Sequence, residues 1–134
     1  MAIGTTTGRS GAVFVRAAIA LQTAAVFFQA ATAGLLLATS YGELLHGVGA
    51  RVMYGASMLY VLAAVLAWRP GGGPARPVLY ASGFLVLASV QVVLGIARVP
   101  SVHVPLGVLM FGLSLLDLGR VVTDRPAGRA ASRP

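Results

Sequence analysis

The chain has 134 residues, 57% of them hydrophobic and 10% charged, with a mean hydropathy of +0.87. A soluble domain carries about 25% charged residues, so composition excludes one, and the apolar residues gather into four runs that use most of the length. The net charge of +7 comes from ten arginines against three acidic residues. These arginines stand at the ends of the runs without interleaved aromatics, which excludes a nucleic-acid partner.

Residues 1–16 carry Arg9 and Arg16 and form a short N-terminal segment. The first run, Ala17 to Thr39, is interrupted by Gln22, Thr23 and Gln29. Ala31-Thr32-Ala33 resembles a signal-peptidase site, but Leu35-Leu36-Leu37 carries the run past it, and its length favours a retained helix. After the connection Ser40–Leu45, the second span is placed at 46–68. Arg69-Pro-Gly-Gly-Gly-Pro-Ala-Arg-Pro77 is a breaker-rich segment and reads as a flexible link. The third span is placed at 78–97, the connection at Arg98–Val102 and the fourth span at 103–122. Residues 123–134 are a cytoplasmic tail, of which Arg125–Pro134 reads as disordered. Each run approaches the roughly 20 residues that cross a bilayer as a helix. The expected fold is therefore an all-α, integral membrane four-helix bundle spanning residues 17–122.

Arginine sets the expected orientation. Arg9, Arg16, Arg69, Arg76, Arg120, Arg125, Arg129 and Arg133 share one side, and only Arg51 and Arg98 lie on the other. The positive-inside rule then places both termini and the 69–77 link in the cytoplasm of a multi-pass plasma-membrane protein.

The chain also repeats. A shift of 57 positions maps His46 onto His103, Met53 onto Met110, Gly55 onto Gly112, Ser57 onto Ser114 and Leu59 onto Leu116. Composition alone would give about one or two identities in such a window. His46, Ala50, Met53 and Ser57 fall on one helical stripe, and His103, Gly107, Met110 and Ser114 repeat it. More weakly, Gln29 and Gly34 echo Gln91 and Gly95. The bundle is then two parallel-repeated helical hairpins, with its only two histidines at equal depth near the outer face.

Two facing histidines fit the axial positions of a haem b, and bundle cores build such sites from facing helices. On this reading Ala50 and Gly107 keep a slot open, and Met53 and Met110 wall the macrocycle. Arg51 and Arg98, the outer-side cations, pair the propionates. Copper would suit histidine and methionine, but each Met lies two turns from its His. Zinc wants more ligands than Glu43 can add. The lack of cysteine excludes covalent c-type haem and disulfides. The competing reading is a structural or accessory subunit in which the histidines only join helices. Asp117 and Arg120, at i and i+3, read as an ion pair.

The motifs Glu43-Leu-Leu-His46, Gln91-Val-Val-Leu-Gly95 and His103-Val-Pro-Leu-Gly107 resemble one four-helix half of haem A synthase over about residues 17–122. The chain is also similar to small actinobacterial four-helix membrane proteins. The first resemblance implies histidines at the starts of the second and fourth helices, a haem site, and a catalytic association for Glu43. The chain differs in having one histidine pair, Gly47 after His46, and no cysteine pair. A haem-modifying enzyme would then need a second bundle, supplied by a homodimer. Without one, the expected role is electron transfer, haem handling or sensing beside a membrane redox partner.

The topology is directly testable. Single cysteines at Gly72 and Ser101 are expected to react with impermeant maleimides from opposite sides of the membrane, and labelling from one side only would refute it.

Overall fold

A computed structural model describes residues 4–123, with side chains from residue 10 onward. Arg9 as a side chain, and Arg125, Arg129 and Arg133 of the tail, lie outside the described residues. Four helices account for nearly all of the described chain: α1 Gly4–Ala38, α2 Gly42–Trp68, α3 Arg76–Ile96 and α4 Pro100–Thr123. All four are long and apolar enough to cross a membrane. The connections are short, so successive helices run antiparallel. Helix α1 packs on α2, α2 on α3, α3 on α4, and α4 returns to α1. The helices that carry the histidines, α2 and α4, therefore stand at diagonal corners.

The boundaries differ from those expected in ways that have local causes. The first helix begins at Gly4 instead of 17, because nothing in the polar start breaks it, and its apolar part is Ser10–Ala38. Helix α2 begins at Gly42, with Glu43 in the first turn where an acidic group suits the dipole. His46 thus sits one turn inside α2. Helix α4 begins at Pro100, which needs no N–H partner at a helix start, and His103 lies in its first turn. The equal depth of the histidines survives both shifts.

Two connections are tighter than their composition implies. Gly71, Gly72 and Gly73 donate their N–H groups to Leu66, Trp68 and Ala67 carbonyls. The glycine run therefore caps the end of α2 and is an ordered turn, with Gly72 at φ +68. Between α3 and α4, Arg98 takes φ 53, a left-handed position that glycine fills at less cost.

In lipid there is no hydrophobic drive to bring helices together, so small residues and polar contacts must do it. The bundle follows that rule. Ala18, Ala25, Ala56, Ala63, Ala64, Ala81 and Ala88 are buried, while Phe14, Leu37, Leu79 and Val86 face outward. The repeated stripes of α2 and α4 turn inward, and Met53, Ser57, Met110 and Ser114 are all buried. Down the bundle axis they form layers: histidines, methionines, then serines. A fourth layer extends the same 57-residue relation, with Tyr60 donating to Asp117 Oδ2 at 2.7 Å. The Asp117–Arg120 ion pair expected from spacing is replaced by this bond. Helix α4 turns Asp117 inward, and Arg120 lies instead over the Tyr80 ring, 5.3 Å from its centroid.

An interhelical hydrogen bond in a bilayer averages about 0.6 kcal/mol, whereas stranding a buried polar group costs about 1–3 kcal/mol. The larger figure applies to Tyr60→Phe, because Asp117 Oδ1 already lacks a partner. Tyr60→Phe and Asp117→Ala are each expected to destabilise the bundle by about that amount, since each leaves the other partner of the bond stranded. Together they should cost less than their sum, read as a double-mutant cycle of unfolding in detergent.

Candidate functional site

Each hairpin holds its histidine by the same device. Gln29 on α1 donates its Nε2 amide to the His46 carbonyl at 3.1 Å, and Gln91 on α3 donates to the His103 carbonyl at 2.8 Å. The glutamines are thus the interhelical bonders their position in apolar runs implies. Both amides need room, and glycine on the facing helix gives it. A Cβ at Gly107 would stand 3.0 Å from Gln91 Nε2, and one at Gly49 would strike Gln29 Oε1.

The close-approach glycines are thus Gly107, which lines the cavity, and Gly49, which is buried; Ala50 is half-buried, and neither Gly49 nor Ala50 lines the cavity. The stripe fixes a helix face only to within a residue. Packing chose the position three after His46 on α2 and four after His103 on α4.

The imidazoles meet across the bundle with ring centroids 6.3 Å apart and planes at 66°. Their hydrogen bonds assign the tautomers. His103 Nδ1 lies 3.0 Å from the Gln91 carbonyl oxygen, which can only accept, so Nδ1 carries the proton. Thr32 Oγ1 donates to the Gln29 carbonyl at 3.0 Å and so accepts from His46 Nδ1 at 3.3 Å. His46 Nε2 is then the lone-pair nitrogen, and it accepts from Gln29 Nε2 at 3.1 Å. Both rings therefore have Nδ1 anchored to the protein and Nε2 as the lone-pair nitrogen, which on His46 is held by Gln29.

Between the rings and the methionine layer lies a cavity of about 250 Å³, lined by both histidines, both glutamines, Met53 and Met110 among others. Its wall is mainly apolar, with Val26 and Phe111 beside the methionines. The Oε1 atoms of Gln29 and Gln91 are buried without a hydrogen-bond partner. Glu43 is exposed on the first turn of α2 and is not among the partners of His46, which are Gln29 and Thr32. Arg51 and Arg98 are exposed at the same end as the histidines. No group of three or more His, Cys, Asp or Glu side chains occurs among the described residues.

Thr32 and Tyr60 were not singled out from sequence. Tyr60 was open to discovery, since the 57-residue shift carries it onto Asp117. Thr32 had no such signal, because its counterpart on α3 is Leu94. No family model, curated protein or solved structure matches the chain.

Gly49 and its neighbour Ala50 give a clear contrast. Gly49→Leu is expected to displace Gln29 and destabilise the bundle by about 1–3 kcal/mol or more, as overpacking does. Ala50→Leu should cost clearly less. Thermal unfolding of the two variants in one detergent decides it.

Proposed function

We propose that the chain is a membrane haem b protein, its iron held by His46 and His103, and that it serves one-electron transfer beside a membrane redox partner. The observation that carries this reading is the pair of anchored imidazoles facing each other at 6.3 Å. A metal–imidazole bond is about 2 Å long, so two imidazoles on opposite sides of one metal have centroids about 6 Å apart. A porphyrin brings four ligands of its own, so two histidines complete the set, and the want of a third protein ligand is no obstacle. The apolar wall at Met53, Met110 and Val26 suits the macrocycle. Arg98 adds support: it keeps a left-handed backbone that glycine would fill more cheaply, which fits a cation needed there for propionates.

Held by His46 and His103, a haem would supply one-electron transfer chemistry. The protein's part is to orient the rings through Gln91 and Thr32 and to exclude water with the methionine layer. For ligation, Gln29 must release His46 Nε2 and keep only its bond to the His46 carbonyl. The arginine distribution supports the histidine end as the outer face, with both termini cytoplasmic. Glu43, exposed and away from the ring nitrogens, gives no support to haem-modifying catalysis.

One observation favours a structural reading: His46 has both ring nitrogens hydrogen-bonded within the protein. A visible spectrum separates the two. Protein purified from cells supplied with haem is expected to show a low-spin Soret band at one haem per chain. His46→Ala and His103→Ala should each abolish it or convert it to high spin. A colourless wild-type protein, correctly inserted, would establish the structural role instead.

A further inference from the structure

The two hairpins are joined along two seams, α2 against α3 and α1 against α4, and the repeat makes these seams equivalent. The shift that carries His46 to His103 carries Tyr54 to Phe111. The shift that carries Gln29 to Gln91 carries Phe27 to Ser89. At the α2/α3 seam, Ser89 Oγ donates to the Leu85 carbonyl at 2.9 Å and so accepts from Tyr54 at 3.1 Å. At the α1/α4 seam the same two positions are Phe27 and Phe111, with centroids 6.0 Å apart and no polar bond possible between them.

Lipid makes that difference large. Parting Tyr54 from Ser89 would strand the Tyr54 hydroxyl where there is no water to replace the bond, while Ser89 keeps its bond to the Leu85 carbonyl. When Phe27 parts from Phe111, acyl chains as apolar as the rings cover both, so little is lost. The chain's connectivity points the same way. Helices α2 and α3 are tied by the 69–75 turn, whereas no loop joins α1 to α4. Among the described residues, the polar contacts that pin that seam lie below the aromatic pair, through Thr23 and Gln22 with Ser114 at 2.7 and 3.4 Å and Arg16 Nε with the Val121 carbonyl at 3.1 Å. Above it, at the histidine end, the wall of the cavity includes Ala30, Val104 and Val108, all exposed and all on α1 or α4. The wall residues from α2 and α3 are His46, Met53 and Gln91, none of them exposed.

We propose that the α1/α4 seam is a lateral port through which a porphyrin passes between the bilayer and the histidine cavity, with Phe27 and Phe111 as its yielding latch and the α2/α3 seam as the fixed wall. The inference rests on the haem reading for the identity of the ring. It also answers a problem of size. The cavity of about 250 Å³ is below the roughly 300–1,000 Å³ of small-molecule sites, so a macrocycle must part the seam or protrude through it.

The chain has no cysteine, so pairs can be placed at will. Phe27→Cys with Phe111→Cys, and in a second protein Tyr54→Cys with Ser89→Cys, are each joined by a short bismaleimide in vesicles. Haemin uptake is followed at the Soret band. Joining 27 to 111 is expected to slow uptake at least tenfold, and joining after loading should hold the haem in place with its spectrum intact. Joining 54 to 89 should change uptake less than twofold. Equal uptake in the two joined proteins overturns the port and leaves the haem site standing.

A second readout does not need haem. Met53→Cys, in the cavity wall, is reacted with a long-chain maleimide dissolved in the bilayer and with a charged maleimide in water. Phe27→Ala plus Phe111→Ala should speed the bilayer reagent at least fivefold and leave the charged one slow. No acceleration, or faster reaction from water, overturns the port even if the protein binds no haem.

Discussion

A glutamine amide donated to a histidine carbonyl, made once in each hairpin, is the interaction on which the histidine end of the bundle depends. Gln29 and Gln91 are long, polar and set in apolar helices, so each must find a partner inside the protein. Each finds it on the next helix, at the carbonyl of the residue whose ring faces the bundle axis. The bond sets the rotation of α2 against α1 and of α4 against α3. With both rotations set, the two imidazoles have no other place than across from each other.

From that layer the remaining interior follows in order. The methionines fill the space below the rings with adaptable apolar bulk. Ser57 and Ser114 come next, the former bonded to its own helix and the latter to Thr23 of α1. The Tyr60–Asp117 bond closes the diagonal between α2 and α4 at the far end. The polar layers at either end of the methionines make the two helix diagonals hold one register. Small residues between them, such as Ala56 and Ala88, let the backbones come close enough for those bonds to form. Packing and polar bonding are thus not separate sources of stability here: the first supplies the distance that the second requires.

The repeat also explains why the site is asymmetric. Its two halves share histidine, glutamine, methionine and serine, but differ where the hairpins meet. A tyrosine–serine pair on one seam becomes a pair of phenylalanines on the other. His46 is anchored at Nδ1 by a threonine hydroxyl, whereas His103 uses a backbone carbonyl. Symmetric scaffold and unlike seams are what a cavity needs if it is to have a back wall and an opening.

The class, the four spans and the inward histidine stripes were legible in the residues, because hydropathy and helical periodicity are local properties. Equal depth of His46 and His103 followed from their places in the repeat, and the expected facing of the stripes is what Met53, Met110, Ser57 and Ser114 display by their burial. Helix starts were less legible, since Gly42 and Pro100 begin helices that apolarity alone dates later. What only the tertiary structure decided was which atoms meet: Gly49 against Gln29, Tyr60 in place of Arg120 as the partner of Asp117, and Thr32 at His46 Nδ1. The reason is geometric. Successive residues on a helix are separated by about 100°, so a small rotation of one helix against its neighbour exchanges adjacent positions at the interface. That rotation is fixed by bonds between residues far apart in the chain, and no local pattern encodes it.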